Sequence, residues 1–333
     1  SLSGNKIRSK GIIYFFDILS SMTCKNIIPL KNLDLSYNEC LDEGAYQIAS
    51  YLKMKHSSLK RLNLSNCNIY FRGIKAIFNS LIINKNDTLL EELYLKKNFC
   101  LLEGASLVAE TLKYNVTLKI LDLSHNYLFL KGCELIFNSL SYNKSLKVLI
   151  LDDNEMGDLA LKSLPNELYI KHLSLKNNNI STDGLKNLIA SNNKYAQFHI
   201  NTLNLSSMTN KNEYTITDDK QWNTIMRTLS TPIYINSLHS LILNDCHIDD
   251  TKLIKLSNTL PSLHSLYYLS LDNNIFTTSI QSLCLYLYSP KCQLNYLSLA
   301  KNDISFNMFY VSKAIALNNT LIALDLSGNN IDK

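Results

Sequence analysis

The sequence predicts an α/β solenoid, with short parallel strands on a concave face and helices on a convex face. Three observations predict it: a Leu-x-Leu alternation that returns at a near-constant interval, an Asn three residues behind it, and an apolar stripe with helical spacing behind that. Leu33-Asp34-Leu35-Ser36-Tyr37-Asn38 returns as Leu121-Asp122-Leu123-Ser124-His125-Asn126 and as Leu324-Asp325-Leu326-Ser327-Gly328-Asn329. With the second Leu of each pair as anchor, the anchors are Leu2, Leu35, Leu64, Leu95, Leu123, Leu151, Leu175, Leu205, Leu243, Leu271, Leu299 and Leu326. Most intervals are 27–31 residues, with outliers of 24, 33 and 38. Self-similarity at this period is the mark of stacked repeats.

Each element follows from its residues. The Leu-x-Leu alternation has period two, so it reads as a strand with its leucines on one face. The chain must then leave the sheet, which strips backbone groups of their partners. An Asn amide both donates and accepts, so it can cover them. This position holds Asn5, Asn38, Asn98, Asn126, Asn154, Asn178, Asn274, Asn302 and Asn329, read as a structural ladder, with Cys67, Cys246 and Met208 as the exceptions. Five residues after the anchor the chain is apolar or Cys, from Ile7 and Cys40 to Ile304 and Ile331, apart from the eighth repeat. Nine residues after it stand Gly11, Gly44, Gly73, Gly104, Gly132 and Gly184. The stripes that follow, such as Ala45, Ile48, Ala49 and Leu52, or Ile74, Ile77, Phe78 and Leu81, mark one face of an amphipathic helix.

These motifs resemble the leucine-rich repeat, L-x-x-L-x-L-x-x-N/C-x-L, over essentially the whole chain. The 28–29-residue period and the Gly column look like the ribonuclease-inhibitor-like subclass. The likeness is weakest from Asn210 to Ser237. It implies a horseshoe, because strands about 4.8 Å apart must match helices about 10 Å wide. The chain is accordingly expected to be one domain, 1–333, of about eleven repeats. Both ends look open, without polar caps, so a piece of a longer protein is expected. The 24-residue interval shortens one helix, with Pro165 in a loop. The 38-residue interval holds an irregular insertion, 209–237, whose polar run Thr209–Glu213 reads as a loop. A helix around Trp222, Ile225, Met226 and Leu229 follows it, with Trp222 in the core.

Composition narrows the function. Hydrophobic residues form 46% of the 333 and charged residues 18%, which supplies a core and argues against extended disorder. The net charge of +5 comes without a concentrated basic stripe, so no nucleic acid is expected as partner. No 18-residue apolar stretch exists, so no membrane span is expected. The eight Cys form no CxxC pair, and five of them occupy ladder, apolar-column or helix-core positions. Buried thiols of this kind lead us to expect an intracellular, cytoplasmic setting. The seven Asn-x-Ser/Thr triplets match chance for a chain with 40 Asn, and the Asn left over after the ladder reads as A+T-rich genomic drift. No GxSxG, P-loop, HExxH or kinase motif appears, so no catalytic residue, metal or cofactor is assigned and no enzyme is expected.

Function is expected on the residues between and beside the leucines. Ile120, Val148 and Ile150 form an apolar spot beside Asp122, Asp152 and Asp153. Tyr268 and Tyr296 stack in adjacent repeats beside Ile242. Tyr94, Phe99, Tyr127 and His125 gather near the ascending loops, and His172 lies within reach of the acidic residues. Exposed aromatics ringed by polar groups are typical of protein-binding hot spots. The reading is a non-enzymatic scaffold for an unknown partner protein, as a monomer or part of a larger chain. The resemblance also leaves open a regulator like a Ran GTPase-activating protein, the repeat region of a larger innate-immune-type receptor, or a cytoskeletal assembly factor.

Overall fold

The structure is a computed structural model and describes residues 1–23, 30–54, 57–83, 89–181, 184, 188, 197–198, 200–207 and 219–331. The chain divides into two compact units, Ser1–Ile170 and Lys171–Lys333. In the first, α1 (Ser9–Thr23) precedes β1 (Asn32–Asp34), α2 (Leu41–Leu52), β2 (Arg61–Asn63) and α3 (Phe71–Ile83). Then come β3 (Glu92–Tyr94), α4 (Leu101–Tyr114), β4 (Ile120–Asp122), α5 (Phe129–Ser139), β5 (Val148–Ile150) and the short α6 (Gly157–Ala160). The second unit carries β6 (His172–Ser174), β7 (Thr202–Asn204), α7 (Asp219–Leu229), α8 (Pro232–Ile235), β8 (Ser240–Ile242) and α9 (Asp250–Thr259). It ends with β9 (Tyr268–Ser270), α10 (Ile280–Tyr288), β10 (Tyr296–Ser298), α11 (Met308–Leu317) and β11 (Ala323–Asp325).

Within each unit these strands pair in parallel, in chain order and without slip. Leu33 lies opposite Leu62, Leu62 opposite Leu93, and Leu93 opposite Leu121. Leu203 likewise lies opposite Leu241, Leu241 opposite Leu269, and Leu269 opposite Leu297. The anchors from Leu35 to Leu299 are buried, as are the helical stripes of α2, α3 and α5. The core of each unit therefore lies between its strands and its helices. Pairing extends to the first residues, where the Leu2 N–H donates to the Asp34 carbonyl at 2.8 Å.

The Gly column lies inside the first helical turn rather than before it, because α2, α4 and α5 begin six residues after their anchors and α3 seven after. What requires Gly there is close approach between helices. A Cβ on Gly73 would meet the Ala45 Cβ at 2.8 Å, and one on Gly132 would meet the Ala105 Cβ at 3.2 Å. The left-handed backbone falls elsewhere. Two residues after each anchor the chain takes a positive φ, at Gly4, Tyr37, Asn66, Lys97, His125, Asp153, Asn177, Ser207, Asp245, Asn273, Lys301 and Gly328. Gly, Asn and Asp fill seven of these twelve places, the residues for which that region costs least.

This turn delivers the next side chain inward as the ladder Asn. Asn98 accepts from the N–H groups of Cys67 and Ile69 at 3.2 and 3.0 Å, and donates to the carbonyls of Leu64 and Leu95 at 2.8 and 2.9 Å. Asn274 repeats the pattern with Cys246, Ile248, Leu243 and Leu271. Asn38, Asn126, Asn154, Asn302 and Asn329 bond in the same way, each reaching the neighbouring repeat. Asn178 is buried, and its amide donates to the Lys176 carbonyl. Asn5 alone in the column is exposed and reaches only the Ser3 carbonyl. Where Cys replaces Asn, the thiol still donates: Cys67 to the Leu35 carbonyl at 3.2 Å, and Cys246 to those of Leu205 and Asn244, each at 3.4 Å. Met208 and Cys24 lie outside the described residues.

A second set of Asn closes the helix exits. Asn115, Asn143 and Asn318 each accept from two backbone N–H groups two and three residues on, as in Asn143 with Ser145 and Leu146. Asn143 also donates to the Leu112 carbonyl at 2.7 Å. Asn63 and Asn204 accept from Ser65 and Ser206 at the strand exits. Five of the seven Asn-x-Ser/Thr triplets are thus turn motifs, and Asn86 lies outside the described residues. Much of the Asn excess that composition alone assigns to genomic drift has a place in the backbone.

Residues 209–218 of the expected 209–237 insertion also lie outside the described residues. The rest is mainly helical, in α7 and α8, and packs as a repeat helix does. Trp222 is fully buried, and its indole N–H donates to the Lys252 carbonyl at 2.8 Å. The shortened repeat ends as its length requires, in α6 and one 3-10 turn before Pro165. Carboxylates tie neighbouring helices together. Asp42 on α2 accepts from the N–H groups of Tyr70 and Gly73 at 2.8 and 3.1 Å, at the start of α3. Asp250 on α9 accepts from those of Thr277 and Ser279 at 2.8 and 2.9 Å, just before α10.

Two outcomes are expected. Asn98→Ala strips the N–H groups of Cys67 and Ile69 and the Leu64 carbonyl of the Asn98 bonds, while the Leu95 carbonyl keeps Asn126, and lowers stability by about 3 kcal/mol. Asn98→Cys costs less, because its thiol can still donate; urea denaturation midpoints measure both. At Asp250, burial acts to raise the carboxyl, but the donors of Ser279 and Thr277 outweigh it and hold it well below the usual carboxylate range. A depressed folded-state value contributes stability above the unfolded value near 4, and that contribution is lost as pH falls below it. Asp250→Ala therefore costs about 1 kcal/mol at pH 7, and its gap to the parent narrows when both are denatured at pH 3.

Candidate functional site

With the leucines turned inward, alternate residues of each strand stand on the opposite face of the sheet. In the first unit this face carries Arg61, Glu92, Ile120 and Val148 in one register row, and Asn63, Tyr94, Asp122 and Ile150 in another. The Arg61 guanidinium pairs with Glu92 at 3.2 Å and lies 4.8 Å from the Tyr94 ring centre. The Tyr94 hydroxyl donates to Glu92 at 2.9 Å. Burial, and then the Glu92 carboxylate, raise the Tyr94 phenol above its ordinary value.

Ile120, Val148 and Ile150 are half-buried and adjacent, next to this polar cluster. Asp122, by contrast, is buried, and its carboxylate accepts from the Ser124 N–H and hydroxyl at 2.9 and 2.6 Å. It holds the strand exit, as Asp34 does with Ser36. Asp152 is half-buried and its carbonyl accepts from the His125 N–H at 2.8 Å. The His125 ring reaches Asp153 instead, at 2.8 Å.

Of the aromatics expected near the strand-exit loops, Phe99 and Tyr127 come together and Tyr94 stays on the strand face. Phe99 stacks on Tyr70 at 4.4 Å and 13°, and on Tyr127 at 5.8 Å and 3°. Phe129 extends the run at 6.4 Å from Tyr127. Tyr70 and Phe129 are missed when residues are compared at equal offsets. Tyr70 stands six residues after its anchor and Phe99 four after its own, and a parallel bridge sets these unequal offsets side by side. The same bridge joins Arg8 to Glu39, an exposed ion pair at 3.7 Å.

On the strand face of the second unit, Tyr268 and Tyr296 stack in parallel at 4.4 Å and 2°. Ile242 is half-buried on the strand beside Tyr268, in register with Ser270. His172 pairs in register with Thr202, and burial lowers its pKa, so it is neutral at pH 7. Among the described residues no three His, Cys, Asp or Glu converge as a metal site, and no helix is long and apolar enough to cross a membrane.

The stacked strands, the Asn ladder and the parallel rows are those of a leucine-rich repeat, and a family model described as Leucine Rich repeat matches residues 55–78, 114–136, 142–164, 168–188 and 317–333. The chain is a leucine-rich repeat protein. It is similar to the NACHT, LRR and PYD domains-containing protein 14 of Mus musculus, at 28% identity over 274 residues. That match covers 82% of this leucine-rich repeat protein and 27% of its relative, so the chain spans about a quarter of the curated protein it matches. Among solved structures it is similar to an internalin of Listeria monocytogenes, with a TM-score of 0.48 and 18% identity over 99% of this chain and 83% of that one. It is also similar to the yeast Rad7 and Elc1 complex, with a TM-score of 0.48 and 18% identity over 91% and 75% of the two chains.

The loop aromatics of this leucine-rich repeat protein are expected to couple. A double-mutant cycle on Tyr70→Ala and Phe99→Ala, read by urea denaturation, should give an interaction energy of about 0.5–1.5 kcal/mol. Additive losses would show that the stack adds nothing beyond burial.

Proposed function

We propose that this protein is a non-enzymatic scaffold whose strand faces and strand-exit loops bind a partner protein. The supporting observation is the outward strand face. Each ladder fixes its backbone, yet its rows carry large half-buried groups: Tyr94 under Arg61, the Ile120–Val148–Ile150 spot, and the Tyr268–Tyr296 stack. Rigid aromatic and arginine anchors on ordered backbone are what a hot spot needs, since little side-chain entropy is lost when they are covered. The loop aromatics Tyr70, Phe99 and Tyr127 extend this surface in the first unit. The ribonuclease-inhibitor-like subclass and an intracellular setting fit the period and the buried thiols. The match to a protein with NACHT, LRR and PYD domains favours a second reading, in which these repeats are the recognition region of a larger receptor.

The test uses the whole chain as bait. Captured partners are identified by mass spectrometry, purified, and titrated against variants. Tyr94→Ala with Ile150→Asp should weaken binding by about 30-fold, the size of a hot-spot loss. Tyr14→Ala, on an exposed part of α1, should leave it unchanged. An affinity unmoved by the strand-face and loop variants removes the scaffold reading.

A further inference from the structure

The Tyr268–Tyr296 stack has a physical property that the other strand-face groups lack. Its rings lie 4.4 Å apart and parallel, close to the spacing of paired strands. The ring planes therefore face along the sheet, toward the neighbouring strands. One flat face of each ring is covered by the other ring. The outer face of Tyr296 looks across to Ala323, its register partner on β11. Ala323 is exposed, and a methyl group is too small to cover a phenol ring. A slot is left above it, walled by the π-face of Tyr296.

The charges around this slot are mostly acidic. Asp325 is two residues along β11, on the same face as Ala323, in register with Ser298. Asp272 follows β9 and is held by the Ser298 hydroxyl and, at 2.9 Å, the Ala300 N–H. Burial, the adjacent Tyr296, and the charges of Asp272 and Asp325 keep the Tyr268 phenol above its ordinary range. Hydrogen bonds from Ser327 hold Asp325 below the usual carboxylate range, so it is negative at pH 7. On the described strands and strand exits of this end of the unit, Asp245, Asp272 and Asp325 outnumber the one lysine, Lys301. The local field is acidic although the chain carries +5.

The first unit brings the same three kinds of group together on its strand face, in a different register. There Tyr94 has a guanidinium, Arg61, at 4.8 Å from its ring centre, and a carboxylate, Glu92, at 3.2 Å from that guanidinium. Ring, cation and carboxylate complete one another on a single sheet face. In the second unit the ring and the carboxylates are in place, and the residue at the slot is Ala323.

We propose that the slot between Tyr296 and Ala323 receives an arginine side chain of the partner protein, its guanidinium flat on the Tyr296 ring and paired with Asp325. The occupant is a protein segment carrying an exposed arginine. A planar cation fits a flat aromatic wall better than an ammonium does. This proposal rests on the scaffold reading and gives its partner a chemistry.

The experiment uses the full chain and a fluorescent peptide, acetyl-Gly-Arg-Gly-Arg-Gly-amide, read by anisotropy. The comparison peptide replaces both arginines by citrulline, which keeps the shape and removes the charge. The arginine peptide should bind about tenfold more tightly, the size of a desolvated cation–π contact with a carboxylate. Ala323→Leu fills an exposed position and should abolish the preference without touching the core. Tyr296→Leu should abolish it as well, Tyr296→Phe should retain it, and Asp325→Asn should weaken it several-fold. Equal binding of the two peptides, or a preference that survives Ala323→Leu and Tyr296→Leu, overturns the proposal. The peptide result and the partner titration fail separately. An indifferent peptide alongside a partner lost on Tyr94→Ala with Ile150→Asp removes the arginine slot and keeps the scaffold.

Discussion

The structure depends on one constraint: a strand that ends after three residues must have its loose backbone groups covered in a place water does not reach. A buried Asn amide meets that need from two sides, accepting from the preceding repeat and donating both to it and to its own strand. A carbonyl or N–H left without a partner there costs several times what a surface bond contributes. Everything that makes the repeat recognisable serves this bond. The left-handed residue two after the anchor turns the chain so that the Asn points inward. The two leucines fix the depth of the strand. The Gly in the first helical turn lets adjacent helices approach until the ladder rungs meet.

The parts that recur at one offset were legible in the sequence. Leu33, Leu62 and Leu93 are spaced as strand partners and pair as such. Asn98 and Asn274 stand in the ladder column and make the ladder bonds. Other features hid for physical reasons. The left-handed column escapes a residue-type search because Tyr37, Lys97, His125 and Lys301 hold the same φ as Asn66 and Asn273. Tertiary hydrogen bonding overrides local preference at those positions. The Gly column was visible as a column, but its cause was not, since only the structure shows Ala45 and Ala105 crowding the next repeat.

The surface groups were legible in part, and the rule is again one of offset. Tyr268 and Tyr296 occupy the same strand row, so equal spacing brings them together. Phe99 and Tyr70 lie off the strand, where the ladder steps by two residues, so the stack crosses from one offset to another. Asp122 looked like part of an outward acidic patch and is a buried turn residue, because its Ser124 partners are only two residues away. An acidic residue followed by Leu-Ser is a structural unit in this chain, at Asp34, Asp122 and Asp325 alike.

The ladder also decides where the chain can change length. The ladder bonds that join one repeat to the next fall between the strand and the first helical turn, so a residue added there would shift the whole row out of register. Beyond that turn the helices meet mainly through side chains, with a few bonds such as that of Trp222 to the Lys252 carbonyl, and the interval between anchors runs from 24 to 38 residues. Insertions and deletions are thereby channelled to the helical side, as in the clipped helix before Pro165 and the extended stretch that holds Trp222. The strand side evolves by exchanging side chains on a fixed lattice, while the helical side evolves by growing and shrinking.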